Sequence, residues 1–403
     1  MTKRDAKDEK KAPKLRFKGF TDDWEHGHLG DIVKIVMGQS PSSINYTDNL
    51  EDHILVQGNA DLENGHVVPR VWTKQVTKTA DKDDIILSVR APVGDVGITN
   101  YPIVIGRGVA AIKGNKFIYQ LLDKMNQDSF WRKYSTGSTF ESINSNDLKK
   151  AEIFHPNEPE QEKIGKLFQS LDHAIYLHEE KQEQLEQLKK ALLQKMFADK
   201  TGYPEIRFKG FNGSWKIIKL GKILKIYNEK NKTKFGKEDV LAVSDEFGCV
   251  NQIKFHGRSF AGDDLSKYKI VDSNDIIYTK SPLKEKPYGI IKIVGDETGI
   301  VSPLYIVNKA REGISPHYIY SYFDIPFRTN YYLAPLVRKG AKNTMNISNE
   351  EWLSGNIPVP ITYNEQHKIG KFFQILDHTI TFHAQKLEYL KQLKRALLQQ
   401  MFI

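Results

Sequence analysis

The side chains in this sequence best placed to do chemistry lie at turns. Arg90 closes a β-branched run just before Pro92 and Gly94, Arg107 stands between Gly106 and Gly108, and Lys280, Lys284 and Lys286 surround Pro282 and Pro287. Gln57 and Asn59 flank Gly58, and Lys232 and Lys234 belong to a basic loop over 228–237. The corresponding loop of the first half, 38–43, carries Gln39 and Ser40. Two small polar loops complete the set: 134–143, with Ser138 and Thr139 after Gly137, and 337–347, with Arg338, Lys339, Lys342 and Asn343 around Gly340. Arginine and lysine pair with guanine edges or phosphates, and glutamine and asparagine pair bidentately with adenine. Small hydroxyl residues after a bent glycine can meet phosphate oxygens or base edges. Most of the lysines, taken singly, read as solvated surface charges, and any single residue after the bent glycines reads equally well as part of an ordinary glycine turn. The inference of nucleic-acid contact rests on the ensemble.

Catalytic signatures are missing from the same sequence. It has no glycine-rich phosphate loop ending in Lys-Ser/Thr, no His-Glu-x-x-His helix and no G-x-S-x-G elbow. Gly106-Arg-Gly108 lacks the third glycine of a dinucleotide site, and the histidines are scattered. A single cysteine, Cys249, excludes an intrachain disulfide or a cysteine metal cluster and fits a reducing cytoplasm. The net charge of +9 points to an acidic partner, nucleic acid first and anionic membrane second. No apolar run is long enough for a signal peptide core or a bilayer span, and residues 1–14 read as a disordered charged tail. These features describe a binder with no bound cofactor or metal.

The elements that must position these loops are duplicated. Residues 160–197 and 365–402 are in register at a constant offset (369 − 164 = 205 and 401 − 196 = 205). In the first copy Ile164, Phe168, Leu171, Ile175, His178, Gln182, Leu185, Leu188, Leu192 and Met196 alternate at steps of three and four. The second copy repeats the seam with Ile369, Phe373, Leu376, Ile380, His383, Leu387, Leu390, Leu393, Leu397 and Met401. Each is an amphipathic helix of about 57 Å, preceded by a proline-bearing extended stretch, and its cheapest partner is its own copy. An antiparallel pair would bring His178 and His383 together near the middle.

A second repeat, RFKGF followed by Trp and Leu-Gly, begins at Arg16 and at Arg207 (207 − 16 = 191) and reads as a structural strand that docks Phe17, Phe20 and Trp24 into a core. Between these landmarks, short Val- and Ile-rich strands broken by Gly and Pro, then helices, predict mixed α/β bodies with mainly antiparallel sheets. The domain boundaries that follow are 15–159 and 200–363 for two recognition bodies, with helices over 160–199 and 364–403.

In these motifs the chain resembles the specificity subunit of a type I restriction–modification system. The resemblance lies in the two EQxKIGxxFxxLDxxI…LxxLKxALLQxMF helices, the paired RFKGF…W…LG segments, and the first-body motifs Gln57-Gly-Asn-Ala-Asp61, Ser88-Val-Arg-Ala-Pro-Val-Gly94 and Ile105-Gly-Arg-Gly108. It implies an α+β architecture of two target recognition domains joined by two long antiparallel coiled-coil helices in a pseudo-two-fold arrangement. Each domain would read one half of an asymmetric bipartite DNA site, and the helices would set the spacer. The resemblance also implies two modification subunits that methylate adenine with S-adenosylmethionine, and restriction subunits that use ATP and Mg to translocate and cut. The alternative is a free-standing coiled-coil DNA-binding regulator or scaffold.

Overall fold

The computed structural model describes residues 11–134, 141–199, 201–340 and 345–403. Two compact units emerge, one of Met1–Glu180 with Ala384–Ile403 and one of Lys181–His383. The long helices therefore do not make a unit of their own. Each unit takes the first part of one helix and the last part of the other.

In the first unit the strand Val109–Lys113 runs antiparallel between Lys34–Met37 and Ile85–Ser88, with Ala110 opposite Met37 and Ala111 opposite Ile86. Side chains alternate across a strand, so the run Ile85-Ile86-Leu87 serves two cores. Ile85 and Leu87 face Phe117, Leu121 and Trp24, while Ile86 faces Val56, Ile103 and Ile105. Burial on both faces explains why this strand reads as a continuous apolar run. The stretch 103–112 forms two strands, Ile103–Ile105 and Val109–Lys113, broken at Gly106-Arg107-Gly108. The sheets are mainly antiparallel; Ile103–Ile105 pairs in parallel with His53–Val56, and Ile98 with His66. The helix Lys116–Gln127 packs on the outer face, capped by Asn115.

The second unit follows the same plan. Ile306–Ala310 lies antiparallel between Leu224–Ile226 and Ile276–Tyr278, which continues to Ile291–Ile293. Ile276 and Tyr278 face the core that contains Trp215, Tyr318 and Trp352, and Ile277 and Val307 face the other side.

The RFKGF segment is not a strand: among the described residues no ladder forms before Glu25 in one unit or between the first long helix and Lys216 in the other. It is held by an ion pair instead. Arg16 forks onto Glu160, and Arg207 onto Glu365, with N–O distances of 2.6 and 2.8 Å in the first pair and 2.7 and 2.9 Å in the second. Trp24 is buried as expected, whereas Phe17 and Phe20 are only partly covered. Lys11, within the predicted tail, accepts the Trp24 amide at 2.8 Å; residues 1–10 lie outside the described part.

The long helices span Glu158–Lys195 and Tyr363–Met401. Asn157 and Thr362 accept the amides of Glu160 and Glu365 at 3.2 and 3.3 Å, so each helix starts before the repeat does. Pro159 thus sits in the first turn, where its missing N–H costs nothing, rather than ahead of the helix. Within the first unit Phe168 meets Phe402, with ring centroids 5.8 Å apart, and Glu179 meets Lys391 at 2.6 Å. Within the second, Lys189 meets Asp377 at 2.6 Å and Phe197 meets Phe373 at 5.9 Å. One number falls as the other rises, so the pairing is antiparallel in both.

The seam is mixed in character. Ile164, Phe168, Ile369 and Phe373 are buried in the bodies' own cores. Leu376 and Leu390 are also buried, whereas Leu171, Ile175, His178, Leu185, Leu192, Ile380, His383 and Leu397 are half-buried. Leu188, read as part of the seam, is 47% exposed, and the neighbouring Lys189 turns inward.

Candidate nucleic-acid interface

Four chain segments of the first unit converge beside the break between Ile105 and Val109. Gln39 N donates to Ile105 O at 2.8 Å, Gly106 N to Val56 O at 2.7 Å, and Val89 N to Gly108 O at 2.9 Å. The backbones approach too closely for a side chain: a Cβ on Gly38 would lie 2.0 Å from Gly106 O, and one on Gly108 2.0 Å from Gln57 O. Glycine is required here by contact with neighbouring carbonyls, independently of φ.

This packing brings together Gln39, Ser40, Gln57, Arg90 and Arg107. The Ser40 hydroxyl accepts the Arg107 amide at 3.0 Å, and the Gln57 side-chain carbonyl accepts the Tyr46 hydroxyl at 2.9 Å. Asp61 ties down the same loop by accepting the amides of Gln57 and Gly58 at 2.7 and 3.3 Å. Gln39, Arg90 and Arg107 are exposed. The result is two guanidinium forks and two amides over a rigid floor, a set able to hydrogen-bond base edges and phosphates.

Asn59 does not join this set. Its amide donates to Asp95, which also accepts from Asn126 at 2.9 Å, so Asn59 fastens the sheet to the helix Lys116–Gln127. Sequence reasoning missed Tyr46, which orients Gln57, and Ile44, which is 87% exposed on the adjoining loop. Nothing in the sequence separates Ile44 from the core isoleucines, and its exposure shows only in the structure. Gln75 holds this loop by accepting from Ser42 N and Asn45 Nδ2 at 2.9 and 2.8 Å. Ser138 and Thr139 lie outside the described residues, as do Lys342 and Asn343.

The basic residues of the second unit fall into distinct roles. Lys232 and Lys234 project from a loop built on the buried Asn231, whose side chain bonds Phe235 through both its amide, 2.9 Å, and its carbonyl, 2.8 Å. Lys284 is exposed. Lys280 instead donates to Ile347 O at 2.9 Å, and burial pushes its pKa below that of an ordinary lysine. Lys286 is buried and donates to Asp245 at 2.6 Å; Lys292 lies 3.2 Å from the same carboxylate. Burial works against the charge on Asp245, but the two lysines hold its pKa below the ordinary range. Lys286 therefore serves the core of its unit and is not presented to a ligand. Arg338 is largely exposed and pairs with Glu351 at 3.0 Å, and Arg338–Lys339 forms a short strand against Met345–Asn346.

At the position of Gly106-Arg107-Gly108 the second unit has the turn 302–305, where Leu304 is 75% exposed. Lys269 donates to Tyr305 O at 2.6 Å beside it, and burial together with the nearby Lys280 lowers the Lys269 pKa. The equivalent turn thus carries a guanidinium in one unit and an isobutyl group in the other. Among the described residues no group of three or more His, Cys, Asp or Glu is arranged to hold a metal ion, and no helix is long and apolar enough to cross a membrane.

Comparison with known proteins bears on both fold and site. Residues 21–187 match the type I restriction modification DNA specificity domain. A Methanocaldococcus jannaschii protein assigned as the type I restriction enzyme MjaX specificity subunit is 35% identical over 187 residues, 44% of this chain and 44% of that protein. The type I restriction enzyme MjaIX specificity subunit of the same organism is 26% identical over 230 residues, 52% of this chain and 53% of the relative. The chain spans about half the length of these relatives. The crystal structure of the type I restriction-modification system S subunit from M. genitalium superposes with a TM-score of 0.66 at 16% identity, covering 97% of this chain and 99% of that one, and so shares its fold.

Proposed function

We propose that the chain is a specificity subunit of a type I restriction–modification system, whose two bodies read the two halves of an asymmetric bipartite DNA site. The observation that carries this reading is one turn built twice from different residues. Gly106-Arg107-Gly108 presents a guanidinium beside Gln39, Gln57 and Arg90, whereas 302–305 presents Leu304 beside Lys269. A guanidinium fork suits guanine edges or phosphate, and an exposed leucine suits a thymine methyl group. The half-sites should therefore differ.

The chemistry belongs to partners. Two modification subunits would transfer methyl groups from S-adenosylmethionine to adenine, and restriction subunits would use ATP and Mg to translocate and cleave, while this chain supplies recognition and no catalytic group. Leu177 and Phe382 fit a docking role on the long helices. They occupy equivalent positions (382 − 177 = 205), and each is exposed, 48% and 60%. The helices, each close to 57 Å long, would set the spacer between half-sites.

The test is to co-express the chain with its modification subunits and sequence the methylated motif. A single bipartite, asymmetric motif is expected, with no cleavage when the pure chain meets DNA and Mg. Tight binding to one uninterrupted operator by the chain alone, with no methylation in the complex, would favour the regulator instead.

A further inference from the structure

In each unit a lysine of one long helix lies between two aspartates, one on the other long helix and one at a body helix. In the first unit Lys394 Nζ lies 2.8 Å from Asp172 and 2.8 Å from Asp123. Lys394 comes from the second long helix, Asp172 from the first, and Asp123 from the body helix Lys116–Gln127. In the second unit Lys189 Nζ lies 2.5 Å from Asp324 and 2.6 Å from Asp377. Here Lys189 comes from the first long helix, Asp377 from the second, and Asp324 caps the body helix Pro316–Phe323.

The two clamps are related by the repeat, 394 − 189 = 205 and 377 − 172 = 205, with the roles of the two helices exchanged. The lysine side chains are only 15% and 19% exposed. Burial works to lower the Lys394 pKa, but Asp123 and Asp172 outweigh it and hold the pKa above that of an ordinary lysine.

A seam of leucines tolerates sliding, because an apolar knob recurs at nearly every turn. A cation enclosed by two anions does not. A slide of one turn, about 5.4 Å, would carry the ammonium out of ion-pair range and strand the carboxylates. A four-residue slide would bring Leu390 or Leu398 against Asp172, and Leu185 or Leu193 against Asp377. A single polar residue in an apolar seam is known to specify register at some expense of stability.

We propose that Lys189 and Lys394 are the register-setting residues of the helix pair, and that they thereby restrict the spacer the protein accepts between half-sites. The link to the spacer rests on the function proposed above. A one-turn slip corresponds to between one and two base pairs of B-DNA, at about 3.4 Å each.

The experiment uses the full chain assembled with its modification subunits and reads the methylated motifs genome-wide. The double variant K189M/K394M is expected to keep both half-sites, to methylate spacers one base pair longer and shorter, and to lose at least ten-fold in selectivity for the wild-type spacer. K189R/K394R should retain the wild-type spacer. If the methionine variant fails to assemble, D172N/D377N, neutral and nearly isosteric, should relax the spacer in the same direction. A lower melting temperature with spacer selectivity intact, in whichever of these variants assembles, overturns the proposal, because a purely structural role would produce that result. A wild-type complex that methylates no bipartite motif would refute the proposed function and not the register role, which cysteine cross-linking of E179C to K391C would then read directly, expected to weaken in K189M/K394M.

Discussion

Trp215 and Glu365 share a buried hydrogen bond: the indole Nε1 donates to the carboxylate at 3.1 Å, alongside the Arg207 fork. The corresponding Trp24 of the other unit is equally buried, yet its Nε1 has no hydrogen-bond partner among the described residues, and the Arg16–Glu160 pair stands without it. The two copies of one motif therefore differ in the partner of the indole, and Arg207 also donates to Gly213 O at 2.7 Å and to Asn212 O at 3.2 Å.

Replacing each tryptophan by phenylalanine separates these environments. W215F loses a bond to a charged group, worth roughly 1.5–3 kcal/mol, whereas W24F removes an unsatisfied donor and loses chiefly apolar contact. Urea denaturation should show W215F as the more destabilised variant by more than 1 kcal/mol. Equal losses would place the stabilisation in ring packing.

The glycine floor of the first unit gives a paired test. G108A and G38A should abolish recognition of one half-site, since each added methyl group meets a carbonyl oxygen at 2.0 Å. G58A, one residue from Gln57, has nothing within 4 Å of its new methyl group and an extended φ of −178°, and should be silent. Methylation-motif sequencing distinguishes the three variants.

Arg107 and Lys286 should respond oppositely to truncation. R107A is expected to weaken binding to the cognate duplex by about ten-fold while leaving the melting temperature unchanged. K286A should lower the melting temperature, because it leaves Asp245 with Lys292 alone. Loss of sequence discrimination in K286A without destabilisation would return this lysine to the DNA face.

The duplication, the long helices and the mixed bodies were legible in the sequence because they are periodic. Offsets of 205 and 191 residues and steps of three and four survive any surface variation. What was not legible depends on where charged residues point. The leucine-rich stretch around Leu188 invites a purely apolar seam, and nothing distinguishes Lys189 from the other lysines until Asp324 and Asp377 are seen around it. Lys286 looks like the exposed Lys284 two residues earlier, although only Lys284 faces solvent. RFKGF has the composition of a strand but lacks a neighbouring strand, and its fixed point is an arginine whose partner lies 144 residues away. Among the candidate DNA contacts, those at tight glycine turns were found to cluster, because glycine marks close backbone approach. Asn59 bonds Asp95 instead of joining them, because an amide suits a base and an aspartate equally well.

The clamp at Lys189 also predicts an alkaline limit to stability. Burial works to lower the Lys189 pKa, yet Asp324 and Asp377 overcome this and raise it from 10.5 to about 12. Around it, Lys292 stands 3.8 Å from Asp324, the Tyr320 hydroxyl donates to Asp324 at 3.3 Å, and burial raises the Asp377 pKa against the pull of Lys189. A cation whose pKa is higher in the folded state stabilises fully below its unfolded value and loses that contribution as pH rises through the folded one. The Lys189 contribution should therefore be complete below pH 10.5 and disappear by about pH 12, a change of roughly 2 kcal/mol. Other lysines and tyrosines titrate in the same window, so the informative quantity is the difference between wild type and K189M in urea denaturation. That difference should be constant up to about pH 10 and shrink by roughly 2 kcal/mol towards pH 12. A difference independent of pH across this range would show that the lysine is held by its aliphatic stem and not by its charge.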